Sequence, residues 1–165
     1  MSLTFQRAIV VGASSGVGAE IAVQLAAQGA TVALLGRRED ELQQVAARIA
    51  AAGRGRAIPV RHDATAFEEV PALFERLVRE LGGLDLLVYA AGLMHPSEES
   101  HYDFPRERQM IEVNVLGAMA WANPAAAMFE AARGGTQQAF VPARWGLVAM
   151  IVRHLPSVVF RKLNF

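Results

Sequence analysis

Cysteine is absent from this 165-residue sequence, which excludes disulfides, thiolate metal sites and a cysteine nucleophile. The 16 basic and 16 acidic residues cancel, so the chain lacks the positive charge that attracts nucleic acid, and we expect no nucleic-acid partner. No apolar run is long enough to cross a bilayer and no signal peptide is evident, so we expect a cytoplasmic protein. With 53% hydrophobic residues, the chain can still bury the core of a globular domain.

Short apolar runs alternate with segments of helical period, which predicts an α/β fold. Candidate strands begin near Ala8, Thr31, Ala57 and Leu84, and each is followed by a helical pattern or a polar loop. This order is typical of a doubly wound, Rossmann-like parallel sheet, here with about four to five strands. The third strand contains Pro59, which cannot donate a ladder hydrogen bond, so we predict it at an edge of the sheet.

The second half of the sequence is predicted to be mainly helical. Thr65 and Glu68 form a candidate capping box for the third helix. After a polar loop, residues 95–105, a long helical stretch runs to about Arg133, and Pro124 should kink it or start a new segment.

The most informative motif follows the first strand and precedes an alanine-rich helix. It reads Gly12-Ala13-Ser14-Ser15-Gly16-Val17-Gly18. Glycines here tighten the turn and let bare backbone approach a diphosphate, whose charge is attracted by the N–H groups at the helix start. The motif therefore predicts a dinucleotide site. Its GxxxGxG spacing resembles that of the short-chain dehydrogenase/reductase family, whose members are mostly nicotinamide oxidoreductases.

Further family landmarks follow in order over about the N-terminal four fifths of the chain. Asp63-Ala64 stands where the family places a carboxylate beside the adenine. Residues 90–92 match most of the family's Asn-Asn-Ala-Gly turn, with Tyr89 and Ala90 in place of the two asparagines. Asn114 matches the asparagine that, in the family's catalytic tetrad, holds a helix distortion and a water for proton relay.

The end of the second predicted strand bears on the choice of cofactor. A carboxylate there would bind the 2′-hydroxyl of NAD and repel the 2′-phosphate of NADP. Gly36 holds that position, and the guanidinium groups of Arg37 and Arg38 suit a phosphate, although Glu39 and Asp40 could neutralise them. NADP is therefore favoured over NAD. The cofactor-binding residues implied are Gly12, Ser14, Ser15, Gly16, Val17, Gly18, Arg37, Arg38, Asp63, Ala64, Ala90, Ala91 and Gly92.

Most of the family's catalytic residues are missing. The family's proton donor is a tyrosine in a Tyr-x-x-x-Lys motif, but the residue four before the only lysine, Lys162, is Val158. No serine lies between Ser100 and Ser157, so the serine that binds the substrate carbonyl is missing too. Only Asn114 of the tetrad remains. We expect the chain to be inactive or nearly so, because removing a proton donor typically slows a reaction by about 10²–10⁴-fold.

The resemblance ends near Thr136. A family member would continue into another strand and the tyrosine-lysine helix, whereas this chain leads directly to Trp145, which indicates an internal deletion. We therefore predict an NAD(P)-binding Rossmann-like domain, residues 1–136, and a basic, apolar, helical tail, residues 137–165. The tail could pack on the sheet or on another subunit, lie on a membrane surface as an amphipathic anchor, or remain exposed and promote aggregation.

Two functions remain open at this point. By resemblance, the chain is an NADP-dependent oxidoreductase that moves hydride between nicotinamide and a carbonyl or alcohol substrate. The alternative is a non-catalytic module that binds a dinucleotide, another subunit or a membrane. Family members often pair through the helix after strand four, so a homo-oligomer is one of the partners considered. No metal site is predicted, because His95 and His101 lack the spacing of a zinc helix.

Overall fold

The structure is a computed structural model that describes residues 5–95 and 103–133. A 3₁₀ turn, Phe67–Glu69, precedes the third helix, and one π-helical turn, Glu112–Leu116, joins the last two helices. The described part up to Met128 belongs to one compact unit. The strands are β1 (Arg7–Val11), β2 (Thr31–Gly36), β3 (Arg56–Arg61) and β4 (Leu86–Tyr89), and the helices are α1 (Gly16–Ala27), α2 (Glu39–Ala52), α3 (Val70–Leu81), α4 (Phe104–Ile111) and α5 (Gly117–Arg133).

The four described strands form one parallel sheet in the order β3-β2-β1-β4. In β1, Ile9 lies opposite Ala33 of β2 on one side and Leu87 of β4 on the other. Pro59 of β3 lies opposite Leu34 of β2, and β3 is an edge strand of the described sheet. The Rossmann-like α/β fold and the edge position of the third strand are therefore confirmed.

The two faces of the sheet are covered by different helices. Successive residues of a strand point to opposite faces, and Val10 and Leu34 pack in one cluster with Leu25 of α1 and Leu42 of α2. On the opposite face, α3 lies against β1 and β2. Both central strands are almost fully buried, as expected for a parallel sheet with helices on both sides.

One prediction about the helices is wrong, and one of the two alternatives given for Pro124 is excluded. The predicted capping box is wrong, because the N–H and hydroxyl of Thr65 both donate to Asp63 Oδ1, at 2.9 and 2.8 Å, and α3 begins only at Val70. Helix α5 runs through Pro124, so no new segment starts there. The interruption of the long helical stretch lies instead at the π-helical turn, before α5.

The predictions for the C-terminal region are not tested by this structure. The proposed deletion point at Thr136 and the tail, residues 137–165, lie outside the described residues. Among the helices that are described, none combines the length and the hydropathy needed to span a membrane.

Candidate functional site

The carboxyl ends of all four described strands meet at one cleft. Backbone hydrogen bonds extend the sheet to its rim: Ala90 N–H donates to Val11 O at 2.7 Å, and His62 N–H donates to Gly36 O at 2.9 Å. In open parallel sheets this edge is where ligands bind. The cleft is lined by Val11, Gly12, Ser14, Ser15, Gly36, Arg37, Arg38, His62, Asp63, Ala64, Ala90, Ala91, Gly92, Leu93 and Val113.

The turn after β1 depends on Gly12, which has a φ of +88°. The N–H groups of Gly12 and Ala13 both donate to Leu35 O, at 2.8 and 2.9 Å, which anchors the turn to β2. A Cβ on Gly12 would collide with the backbone of Ala91, and a Cβ on Gly18 would collide with Gly12 O. Both glycines therefore allow close backbone contact between the turn, α1 and the segment that follows β4.

The first turn of α1 has the features of an anion site. It contains no acidic residue, and the side chain of its N-cap, Ser15, makes no capping hydrogen bond. Gly16 has a φ of +59°, and apart from its chain neighbours and the backbone of its own helix, no described atom lies within 4 Å of the position that a Cβ would take. Free N–H groups and the positive end of the helix dipole favour a phosphate at such a terminus. The predicted residues Gly16, Val17 and Gly18 form this turn, beside the cleft-lining residues.

Arg38 reaches back over the glycine-rich turn. Its Nη2 atom donates to the hydroxyl oxygens of Ser14 and Ser15, at 3.0 and 2.6 Å, and its Nη1 atom pairs with Glu41 at 2.9 Å. The acidic neighbour is thus Glu41, one turn into α2, rather than Glu39 or Asp40. Arg37 forms no ion pair within the described residues, and both arginines line the cleft.

Asp63 is held as a carboxylate at the end of β3. Burial raises its pKa, but the two hydrogen bonds from Thr65 and the positive charge of Arg37 outweigh burial, so that the pKa lies below its usual value. The resulting negative charge lies next to Ala64 on the cleft wall. A carboxylate in this position can accept a hydrogen bond from an amino group of a ligand.

Asn114 lies in the π-helical turn and holds the loop after β4. Its Oδ1 atom accepts from Leu93 N–H and its Nδ2 atom donates to Leu93 O, both at 2.8 Å. The carboxamide thereby pairs with both polar backbone groups of one residue. The helix distortion that the resemblance implied at Asn114 is present here as the turn Glu112–Leu116.

A family model described as short chain dehydrogenase matches residues 6–137. This chain belongs to the short-chain dehydrogenase/reductase family. An uncharacterized oxidoreductase of Staphylococcus aureus is 38% identical over 123 residues, which are 74% of this chain and 52% of the relative. One of Staphylococcus saprophyticus is 41% identical over 116 residues, which are 70% of this chain and 50% of that protein.

Solved short-chain dehydrogenase structures share this fold. A dehydrogenase/reductase from Sinorhizobium meliloti 1021 matches with a TM-score of 0.71 and 34% identity, covering 77% of this chain and 50% of the other. A hydroxysteroid dehydrogenase from Escherichia coli matches with a TM-score of 0.69 and 31% identity, covering 76% and 52%. The chain thus spans about half the length of the curated relatives that it matches.

Within this short-chain dehydrogenase/reductase site, sequence reasoning missed four contributors. They are Val11, the last residue of β1, and His62, Leu93 and Val113, which also line the cleft. No sequence motif marks Leu93 or Val113. Leu93 takes part through its backbone N–H and C=O groups, and Val113 is an ordinary apolar residue of a helical segment. His62 directly precedes the recognised Asp63, but only the fold reveals that its ring is buried, in edge contact with Trp121 at 5.4 Å.

The polar sequence around Tyr102 is described only from Asp103 onwards. Ser100, His101 and Tyr102 lie outside the described residues. Asp103 is the N-cap of α4 and accepts a hydrogen bond from Arg106 N–H at 3.2 Å. Asp103 therefore has a structural role at the helix start.

Proposed function

We propose that this chain binds NADP(H) and forms the cofactor-binding half of a short-chain oxidoreductase. The observation that carries the proposal is the paired guanidinium site at the end of β2. Arg38 lies over the hydroxyls of Ser14 and Ser15, and Arg37 lines the same cleft. No carboxylate stands at Gly36, where it would repel a 2′-phosphate. Arginine forks are suited to phosphate because two N–H groups can donate in parallel.

The remaining cleft residues fit the other parts of the same cofactor. The first turn of α1 would present its N–H groups to a diphosphate, and the open space at the Cβ position of Gly16 is consistent with this. The Asp63 carboxylate would face the adenine. The backbone of residues 90–92 brings small side chains to the cleft wall, where they would lie beside the cofactor ribose. When bound, NADP(H) supplies or accepts the hydride exchanged with a carbonyl or alcohol substrate.

Catalysis by this polypeptide alone is expected to be very weak. Asn114 is present, but the sequence has no tyrosine four residues before its only lysine and no serine between Ser100 and Ser157. A carbonyl substrate would lack both a positioned proton donor and a hydroxyl to polarise its oxygen. Losing a general acid typically slows turnover by about 10²–10⁴-fold.

Binding of NADPH and NADH to the purified chain tests the proposal. Calorimetric titration should show saturable binding of both, with NADPH tighter. Arg38→Ala should weaken NADPH by about 10-fold or more, since charge-assisted hydrogen bonds are worth about 1.5–3 kcal/mol, while NADH affinity changes little. The matched control is Arg48→Ala on α2, which should leave both affinities unchanged, because among the described residues Arg48 pairs only with the exposed Glu20, at 3.2 Å.

Three results would overturn parts of this proposal. A folded chain that binds neither nucleotide would contradict the cofactor site. Equal loss of NADPH and NADH affinity in Arg38→Ala would contradict recognition of the 2′-phosphate. Rapid turnover of carbonyl substrates by the homogeneous 165-residue chain would contradict the expected weak catalysis.

A further inference from the structure

The last residue of β4 is joined to the π-helical turn by a side chain. The hydroxyl of Tyr89 donates to Val113 O at 2.5 Å. Tyr89 is half-buried and stands where the family motif has an asparagine. The contact links residues 24 positions apart in the sequence, so it connects the end of β4 to the helical turn that contributes Val113 to the cleft.

The π-helical turn explains why Val113 O needs a partner. Gly117 N–H donates to Glu112 O, five residues earlier. In a regular α-helix the same N–H would donate to Val113 O, four residues earlier. The π-helical turn therefore removes the usual hydrogen-bond donor of Val113 O. Because part-buried backbone carbonyls generally accept a hydrogen bond, Val113 O requires a different donor. Tyr89 supplies that hydrogen bond.

Gly117 makes this arrangement possible. A Cβ on Gly117 would collide with the Tyr89 hydroxyl and would lie 2.9 Å from Ala64 O. Any larger residue would push α5 away from the end of β4 or displace the tyrosine ring. Tyr89 and Gly117 therefore form a matched pair in which a bulky residue on the strand meets a residue without a side chain on the helix.

We propose that Tyr89 is a positioning residue that fixes the π-helical turn and, through it, the orientation of Asn114 at the cleft. Val113, whose carbonyl it binds, directly precedes Asn114, and Asn114 in turn pairs with both backbone groups of Leu93. Leu93 continues the cleft wall formed by residues 90–92. This inference rests on the proposed function only for its effect on cofactor binding, because the positioning itself is a property of the free protein.

Amide hydrogen exchange measured by NMR on the free chain tests the positioning. Tyr89→Phe removes only the hydroxyl, and we expect exchange at Leu93 N–H to accelerate about 2- to 10-fold relative to core amides such as that of Val10. The matched control, Tyr102→Phe, makes the same chemical change at the only other tyrosine and should leave that ratio unchanged. Gly117→Ala, whose added Cβ would meet both the Tyr89 hydroxyl and Ala64 O, should likewise accelerate exchange at Leu93 relative to core amides.

Three exchange results would overturn the inference. They are no change at Leu93 in Tyr89→Phe, acceleration of Leu93 and core amides by the same factor, or the same selective effect in the Tyr102→Phe control. If Tyr89→Phe does not fold, Gly117→Ala decides by the same criterion, since the tyrosine ring is still present to fill its space.

A double-mutant cycle on NADPH affinity tests whether Tyr89 acts through Asn114. Tyr89→Phe should weaken binding several-fold in the parent chain but cause little further loss in an Asn114→Ala background, because the group that it positions is gone. Additive losses would contradict the mechanism. If the parent chain binds no NADPH at all, the proposed function fails, while the exchange experiment still decides whether Tyr89 holds the turn.

Discussion

Tyr89 can hold its hydrogen bond only while its hydroxyl is protonated. Burial, with a smaller contribution from the negative charge of Asp63, raises its pKa to about 12, whereas an unperturbed tyrosine has a pKa of about 10. The folded-state value is the higher one, so the contribution of Tyr89 to stability is complete below about pH 10. It is lost as the pH rises from 10 towards 12, because the unfolded chain ionises first.

Spectrophotometric titration should reveal this shift directly. In a Tyr102→Phe variant, Tyr89 is the only tyrosine, so the rise of tyrosinate absorbance near 295 nm reports on it alone. In native buffer we expect a midpoint near pH 12, and in concentrated guanidinium chloride a midpoint near 10. Circular dichroism at each pH identifies the range in which the chain is folded. Coincident midpoints in the two solvents would show that the tyrosine is not buried as described.

Residues in local motifs were predictable, whereas residues whose partners are distant in sequence were not. The spacing of Gly12, Gly16 and Gly18 indicates a turn and a helix start without knowledge of the fold. Tyr89 and Gly117 carry no such signal, because the contact between them depends on how α5 lies across the end of β4. A helical glycine looks the same in the sequence whichever neighbour it faces.

At the scale of elements, the Asp85 carboxylate, just before β4, forms hydrogen bonds to the start of β1. Asp85 Oδ2 accepts from the N–H groups of Gln6 and Arg7, both at 3.0 Å, and Asp85 Oδ1 accepts from Arg7 Nη2 at 2.6 Å. The hydrogen bonds from the Arg7 side chain lower the pKa of Asp85. Burial opposes this effect and the two backbone donors reinforce it, so that the pKa of Asp85 lies below its usual value. The stabilising effect is therefore present at neutral pH and is lost as the solution is acidified below about pH 4.

Removing this carboxylate should loosen the start of both strands. We expect Asp85→Ala to lower the free energy of unfolding at pH 7 by about 1 kcal/mol, a value reduced for the partial exposure of the pair. Urea titrations of variant and parent measure the difference, which should shrink as the pH falls below 4. Glu75→Ala is the control, because its pair with Arg79 is exposed and 3.9 Å long. An equal loss in both variants would contradict a special role for Asp85.

The existence of the strands and the edge position of β3 could be predicted more fully than the starts and interruptions of the helices. Short apolar runs predicted the strands, and Pro59, which has no N–H to donate, predicted that β3 lies at an edge of the sheet. The predicted start of α3 was wrong, because Thr65 is bound to Asp63 and cannot cap a helix. The π-helical turn was expected only from the resemblance at Asn114, since its extra residue is accommodated by contacts with β4 that lie far away in the sequence.

At the scale of the whole fold, His62 connects the end of β3 to the helices beneath the cleft. Its ring is in edge contact with Trp121 of α5, which also contacts Phe74 of α3, with ring centroids 5.4 and 6.4 Å apart. Within the described residues, neither ring nitrogen of His62 has a hydrogen-bond partner, and the same holds for Trp121 Nε1. Burial lowers the pKa of His62, and the nearby carboxylates of Glu69 and Asp63 only partly oppose this effect. The histidine is therefore neutral in the folded protein at pH 7.

Acidification should destabilise the fold through this residue. The unfolded chain binds a proton at His62 near pH 6.5, whereas the buried ring resists it, so stability is complete above about pH 6.5 and falls as the pH decreases towards the lowered folded-state pKa. The slope can reach about 1.4 kcal/mol per pH unit for one group. Urea unfolding followed by circular dichroism at pH 7.5 and 5.5 should show a smaller loss in His62→Phe than in the parent. His95→Gln, a change in the loop after β4, should keep the parental loss. If His62→Phe loses as much unfolding free energy between pH 7.5 and 5.5 as the parent chain does, groups other than His62 cause the acid sensitivity.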